Sequence, residues 1–218
     1  MKPSSTAFLA SLVLVAAFAS TLFAQPPVKK FFPAEARSKL YSSGILVRSD
    51  FFVAGSGSAL PGGGQPSTFS EQVRQCLANI NTTLEMNGLG YANIVKLYVM
   101  LDDPNNFEPM NAVFREVFPE NPPARTTLFI NTIPQGNHIE ITAFATADLS
   151  ARKIIGTPPP GYPFSPAVLA GKTLYVSGKG DQLPGGGHPA TFEEQARQCL
   201  KNVEATLSAP GLGCPNVV

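Results

Sequence analysis

The sequence predicts an α+β domain in the order ββαβαββ, followed by the first half of a second copy of that domain. Two observations support this prediction. Apolar residues recur at strand or helix spacing in the expected order. In addition, residues 41–95 return as residues 164–218, with 27 identities in 55 aligned positions. The chain has 218 residues, of which 44% are hydrophobic and 14% charged, a composition typical of a folded protein.

The complete unit begins with a predicted β-hairpin. Two short apolar runs, 45–47 and 51–54, lie on either side of a turn sequence at 48–50. A loop rich in Gly, Pro and Ser follows. Ser67 or Thr68 can then cap a helix, and Thr68 and Glu71 have the spacing of a capping box, in which each side chain bonds the other residue's backbone. We therefore expect the first helix to begin at this point.

The first helix should end at Gly88, because glycine readily adopts the left-handed conformation that terminates helices. A third strand, 94–101, follows it and leads to a second helix. The apolar residues that mark the two helices recur every three or four positions: Phe69, Val73, Leu77, Ile80 and Leu84 in the first, and Met110, Val113, Phe114 and Val117 in the second.

The last two predicted strands, 126–132 and 139–146, are separated by a turn. If they pair as an antiparallel hairpin, Glu140 lies opposite about Asn131. Arg125 is then six residues further along, roughly 20 Å away. We therefore expect Arg125 and Glu140 of one chain to stay apart. The strands together should form one mixed sheet with two helices on one face.

The first residues have the pattern of an export signal. Lys2 precedes an uncharged apolar run that ends in small residues, with cleavage expected after Ala19 or Ala24. The sequence thus predicts a signal peptide at 1–24 and an exported chain, periplasmic or secreted, with no membrane partner after cleavage. A retained N-terminal anchor is the alternative.

The remaining boundaries follow from composition and from the repeat. They are a linker at 25–34, a complete domain at 35–150, a Pro/Gly-rich linker at 151–163 and a partial second copy, here called the half-repeat, at 164–218. The half-repeat stops at the position that matches Val95, so it has no counterpart of Arg125 or Glu140. We therefore expect the site chemistry to reside in the complete domain.

Charge and cysteine content argue against two classes of site. Sixteen Lys and Arg face 15 Asp and Glu, so the chain lacks the basic excess with which proteins neutralise nucleic-acid phosphates. We expect no nucleic-acid partner. Three Cys and two His are too few, and too irregularly spaced, for a four-ligand zinc site. We expect no metal site and three structural thiols.

Several short motifs, in order, resemble the Rid family, also called YjgF or reactive intermediate deaminase. They are Pro123-Ala124-Arg125-Thr126-Thr127 at a strand, Ile133-Pro134, and Ile139-Glu140-Ile141. The match covers about residues 35–148. The resemblance implies a chorismate-mutase-like fold and a homotrimer with its sites in clefts between subunits. It also implies hydrolysis of 2-imino and 2-enamino acids to 2-keto acids and ammonia, without metal or organic cofactor.

The resemblance also assigns roles to residues. Arg125 matches the arginine that binds the substrate carboxylate, a task suited to the planar guanidinium fork. Glu140, on the opposite side of its strand from Ile139 and Ile141, matches the base that activates water. The other matched positions are substrate-binding: Tyr41, Gly55, Asn111 and Thr127. Thr127 stands where the family commonly has Cys, and Ala54 where relatives have Ser.

Two functions are compatible with these residues. The first is an exported imine and enamine deaminase, and the second is a non-catalytic small-carboxylate-binding protein on the same scaffold. The presence of both Arg125 and Glu140 favours the enzyme, because binding alone needs only the arginine. A ribonuclease is disfavoured, since the chain has neither a basic excess nor a pair of neighbouring histidines.

Overall fold

The computed structural model describes residues 28–33 and 41–218. The predicted signal peptide, 1–24, lies outside the described residues. The described elements are, in order, β1 (Lys29–Pro33), β2 (Ser42–Val47), β3 (Asp50–Ser56), α1 (Phe69–Glu85), β4 (Ile94–Leu101), α2 (Phe107–Val117), β5 (Ala124–Phe129), β6 (Ile139–Thr146), β7 (Arg152–Ile155), β8 (Ala167–Ala170), β9 (Thr173–Val176) and α3 (Phe192–Ser208). Among these helices, none has the length and apolar character needed to cross a membrane.

The complete domain is built on one mixed sheet in the order β1-β2-β3-β6-β4-β5. Strands β4 and β5 run parallel, and the other neighbours are antiparallel. Helices α1 and α2 cover one face, where they bury a continuous apolar core. This arrangement confirms the predicted α+β fold with both helices on one face. Core residues include Val73, Leu77, Ile80, Phe114, Leu97, Val99, Ile139 and Ile141.

Helix α1 begins and ends as the sequence predicts. The Thr68 hydroxyl accepts the Glu71 backbone N–H at 3.4 Å, and a Glu71 carboxylate oxygen accepts the Thr68 N–H at 3.3 Å. The helix ends at Glu85, and Gly88 follows in the left-handed conformation with φ of 67°. In α3, Thr191 and Glu194 repeat the same capping box.

Both predicted linkers contain strands, so their description as linkers is wrong in part. Lys29–Pro33, within 25–34, forms β1 and pairs with β2. It is held there because Phe32 is buried edge-to-face against Phe51, with ring centroids 5.2 Å apart. Arg152–Ile155, within 151–163, forms β7 and pairs with β8. The Pro- and Gly-rich residues that follow β7 in the second segment are turns and irregular structure, as their composition predicts.

The predicted hairpin of the last two strands is also wrong. β5 pairs with β4 in parallel, whereas β6 lies between β3 and β4. The physical reason is that α2 carries the chain back to the start of β4, as a crossover between parallel strands requires. Because β5 and β6 lie on opposite sides of β4, the segment that connects them must then pass the end of β4. Gln135 and Gly136 turn it there in left-handed conformations.

The half-repeat packs on the complete domain. Strands β7, β8 and β9 form a second sheet against the face of the large sheet opposite the helices. Val168 and Ala170 of β8 are buried there with Val95 and Ala124. The two strands and one helix predicted for the half-repeat are therefore present, and the complete domain covers the strands.

Candidate functional site

Three of the predicted site residues line one pocket. Tyr41, Gly55 and Glu140 surround a cavity of about 430 Å³, here called the Glu140 pocket. Glu140 is half-buried on β6 and points away from the core that holds its neighbours Ile139 and Ile141. Gly55 lies at an irregularity in the pairing of β3 with β6. A side chain at Gly55 would collide with the Glu140 carboxylate, so glycine is required for that carboxylate's position.

Asn137 organises one wall of the Glu140 pocket, and the sequence analysis did not single it out. Its side-chain oxygen accepts the backbone N–H of Ser58 at 3.0 Å, the Ser58 hydroxyl at 3.2 Å and the Gln65 amide at 3.2 Å. Its amide donates to the Pro134 carbonyl at 2.9 Å. The sequence shows Asn137 only as a turn residue, because three of its four hydrogen bonds go to Ser58 and Gln65, which are distant in sequence.

Arg125, Asn111 and Thr127 form a second group, here called the Arg125 cluster. Arg125 is 4% exposed, and its guanidinium lies 5.7 Å from the Phe107 ring and 5.1 Å from the Phe114 ring. Burial lowers the pKa of Arg125 to about 10, and the charge of Glu108 partly offsets this. The guanidinium still carries a proton at neutral pH, so it is a buried cation.

The cluster contains polar atoms without partners. Nη1 of Arg125, Oδ1 of Asn111 and Oγ1 of Thr127 are all buried and have no hydrogen bond within the described part of the chain. Arg125 and Thr127 share a face of β5, and Asn111 lies between the two phenylalanines on one face of α2. Buried polar groups are normally paired, so these orphans mark a place that a polar ligand would complete.

The half-repeat lies directly over Arg125. Phe164 places its ring 5.1 Å from the guanidinium. The Ser177 hydroxyl accepts the backbone N–H of Arg125 at 2.8 Å and donates to the Ser165 carbonyl at 2.6 Å. The Gly178 N–H donates to the Arg125 carbonyl at 3.0 Å. The half-repeat therefore docks on β5 beside Arg125, while the expectation that the site chemistry resides in the complete domain stays a prediction.

The Glu140 pocket and the Arg125 cluster are separate in one chain. Arg125 lies opposite Leu97 on β4, and Glu140 lies opposite Met100. These positions are roughly 10 Å apart along β4, and the two flanking strands are roughly 10 Å apart across it. Leu97 and Met100 also point to opposite faces. The residues are apart as expected, but through a different register from the predicted hairpin with Asn131.

One further buried charge lies beside the cluster. Lys96 is 4% exposed, between the large sheet and β9. Its ammonium donates to the Thr126 hydroxyl at 2.8 Å and to the Val176 carbonyl. Burial lowers the pKa of Lys96 to about 8. Within residues 28–33 and 41–218, no group of three or more His, Cys, Asp and Glu could hold a metal ion.

Comparison with known proteins gives a consistent picture. A family profile described as Endoribonuclease L-PSP matches residues 33–147 and again residues 155–218. The 2-iminobutanoate/2-iminopropanoate deaminase of Bos taurus is 34% identical over 107 residues, which are 48% of this chain and 78% of that protein. The protein of the same name from Homo sapiens is 33% identical over the same shares.

Solved structures agree with the fold. Escherichia coli TdcF, determined with bound serine, has a TM-score of 0.52 and 25% identity, and the match covers 55% of this chain and 99% of that one. The Rid protein YyfA of Yersinia pestis has the same TM-score and identity and covers 55% of this chain and 100% of its own. In both cases, a little over half of this chain accounts for the whole relative.

Proposed function

Because the chain belongs to the Endoribonuclease L-PSP family, also called YjgF or Rid, we propose that it is an imine deaminase. Its substrates are 2-imino and 2-enamino acids, and its products are 2-keto acids and ammonia. The observation that carries this proposal is Arg125, a buried cation whose Nη1, like Oδ1 of Asn111 and Oγ1 of Thr127, is buried without a hydrogen bond in the described residues. A small carboxylate satisfies such a cation with two parallel hydrogen bonds.

The chemistry requires one more group. Hydrolysis adds water to the imine carbon, and the resulting amino alcohol expels ammonia to leave the keto group. Glu140 accepts a proton from the attacking water and returns it to the departing nitrogen. Arg125 holds the substrate carboxylate and so fixes the position of the adjacent carbon. The relatives named as imine deaminases, together with a relative that holds serine, support a substrate of this size.

The separation of the two residues bears on the assembly. Within one chain Arg125 and Glu140 lie on opposite faces of the large sheet. A site that contains both Arg125 and Glu140 therefore needs two chains, and we propose that the protein is a homotrimer. Light scattering of the mature protein tests it directly, because a mass of three chains agrees with the proposal and a single-chain mass at all concentrations contradicts it.

The activity is tested by generating 2-iminobutanoate in place and measuring 2-oxobutanoate above the spontaneous rate. Arg125→Lys keeps the charge but loses the bidentate fork. It should lower kcat/KM by roughly 30- to 1000-fold. Arg197→Lys is the matched control, since Arg197 is an exposed helix residue paired with Glu193. Equal activity in Arg125→Lys and wild type would remove Arg125 from the mechanism.

A second candidate is favoured by a specific observation. The half-repeat covers Arg125, whereas Glu140 of the same chain lies on the other face of the large sheet. An Arg125 site that Glu140 does not reach binds a small carboxylate without turning it over. Calorimetry with 2-oxobutanoate, in a preparation that shows no deaminase activity, identifies this binding protein.

Two further parts of the proposal concern the class of substrate and the export of the protein. The near-equal numbers of acidic and basic residues support a small-molecule substrate over the nucleic acid that the family description suggests. We also propose export, on the strength of residues 1–24 alone. N-terminal sequencing of the protein recovered outside the cytoplasm checks it, with a start at Ser20 or Gln25 as the expected result.

A further inference from the structure

The surface that covers Arg125 is the second copy of a surface already described. At the repeat offset of 123 residues, Phe164 and Gly178 correspond to Tyr41 and Gly55, which line the Glu140 pocket. In the first copy this surface is open, and Tyr41 is 62% exposed. In the second copy the same surface is closed against β5. The chain thus uses one kind of surface in two ways.

The closure is tight around the cation. The guanidinium carbon of Arg125 lies 5.1–5.7 Å from the ring centroids of Phe107, Phe114 and Phe164. Only 4% of Arg125 is exposed, and its Nη1 has no partner in the described ranges. A ligand carboxylate therefore cannot reach this cation from solution while the half-repeat is docked.

Besides its buried apolar contacts, the docked half-repeat is bonded to the Arg125 backbone and packs one glycine closely against β5. The Ser177 hydroxyl accepts a hydrogen bond from the Arg125 backbone N–H, and the Gly178 N–H donates one to the Arg125 carbonyl. Gly178 also lies so close to β5 that a Cβ atom there would be 2.9 Å from Thr126 Cγ2. While Thr126 is present, a side chain at this position overpacks the contact and weakens the docking of the half-repeat.

We propose that the half-repeat is an intramolecular cap that must lift from β5 before a small carboxylate can bind Arg125. The apparent affinity of such a ligand is reduced by the fraction of molecules in which the cap is open. This inference rests on Arg125 as a carboxylate site but not on catalysis. Access to Arg125 is measurable whether or not the protein deaminates any substrate.

The first test compares two glycines of the full chain. Gly178→Ala overpacks the contact with Thr126, which should raise the open fraction by roughly five- to 150-fold. Gly180→Ala is the control, because a Cβ at Gly180 meets no atom within 4 Å. Phenylglyoxal modification of Arg125, followed by mass spectrometry, reports access. Arg197, exposed on α3, is the internal reference. We expect Arg125 to react more slowly than Arg197 in wild type and faster in Gly178→Ala only.

The second test locks the cap. A Cβ at Gly178 would be 3.3 Å from the Thr126 Cβ, close to the 3.5–4.5 Å of natural disulfides. In the double variant Thr126→Cys, Gly178→Cys, oxidation should abolish both phenylglyoxal modification and 2-oxobutanoate binding at Arg125, and reduction should restore them. The single variant Thr126→Cys controls for the loss of the hydroxyl.

Either of two results overturns the proposal. The first is a wild-type Arg125 that reacts as fast as Arg197. The second is an oxidised double variant that binds 2-oxobutanoate as well as its reduced form. The lock keeps the proposal testable even if Gly178→Ala does not fold.

Discussion

The Ser177 hydroxyl accepts the backbone N–H of Arg125 at 2.8 Å, across 52 positions of sequence. This bond ties the half-repeat to the strand that carries the candidate carboxylate-binding residue. The corresponding position in the first copy is Ala54, which has no hydroxyl to offer. The two copies have therefore diverged at the position where one of them became a partner of the other.

Replacement of Ser177 by Ala should destabilise the protein. The change leaves the Arg125 N–H and the Ser165 carbonyl without their partner in a buried place. The expected loss is about 1–3 kcal/mol of unfolding free energy, measured by urea denaturation. Ser208→Ala, an exposed change on α3, should alter stability by less than about 0.5 kcal/mol. Equal effects of the two changes would show that the Ser177 bonds are not formed in solution.

Replacement of Glu140 by Gln should lower kcat for 2-iminobutanoate by about 100-fold or more, with a smaller change in KM. The amide keeps the shape of the side chain but cannot take a proton from water. Glu85→Gln is the control, since Glu85 ends α1 and lies on the surface. A large rise in KM with unchanged kcat would mean that Glu140 binds substrate rather than activates water.

The stability of the protein should increase with pH above about 8. Burial lowers the pKa of Lys96 to about 8 in the folded state, from an ordinary value of 10.5. The unfolded chain therefore binds the proton more tightly, and the penalty of burying the charge disappears as pH rises through this window. Denaturation midpoints at pH 7.5 and 9.5 measure the effect. The Cys76 thiol, whose pKa burial raises well above its ordinary value of 9.0, opposes the effect from about pH 9, and Tyr175, whose pKa burial raises to about 12, opposes it nearer pH 10 and above.

Lys96→Met isolates this contribution. The variant has no ammonium group to titrate, so its stability should lose the rise between pH 8 and 9.5. If wild type and Lys96→Met show the same pH dependence, Lys96 is hydrated in solution and its pKa is ordinary.

Leu77 and Leu200 occupy the same position in the two copies and should respond differently to Ala. Leu77 is fully buried in the core, and its truncation should cost about 2–5 kcal/mol of unfolding free energy. Leu200 is 68% exposed on α3, so its truncation should change stability by less than about 0.5 kcal/mol. A comparable loss at Leu200 would mean that α3 is covered in the assembled protein.

Local patterns in the sequence predict most of the elements. Thr68, Glu71 and Gly88 mark α1 because capping and termination depend on neighbouring residues. The alternating residues of β4 and β6 identify the face that meets the helices for the same reason. The candidate site residues also came from a short, ordered set of motifs. None of this required knowledge of long-range pairing.

Long-range pairing is where the prediction failed. Consecutive strands often pair, so β5 and β6 were expected to form a hairpin, but the crossover through α2 takes β5 to the free edge of β4. The contact of Phe164 with Arg125 likewise depends on how two copies of one domain dock. Nothing in the local sequence of Phe164 distinguishes a ring that lines an open pocket from one that covers a guanidinium.

Helix α3 retains much of the sequence of α1 in a different environment. Its Phe192 and Leu200 are largely exposed, although their counterparts in α1 pack on the core of the complete domain. The identities between the two helices therefore record common ancestry rather than a shared role in stability. Within the described residues, the apolar face of α3 that matches the buried face of α1 is exposed at these two positions. An exposed apolar face that is inherited in this way can acquire new contacts during evolution.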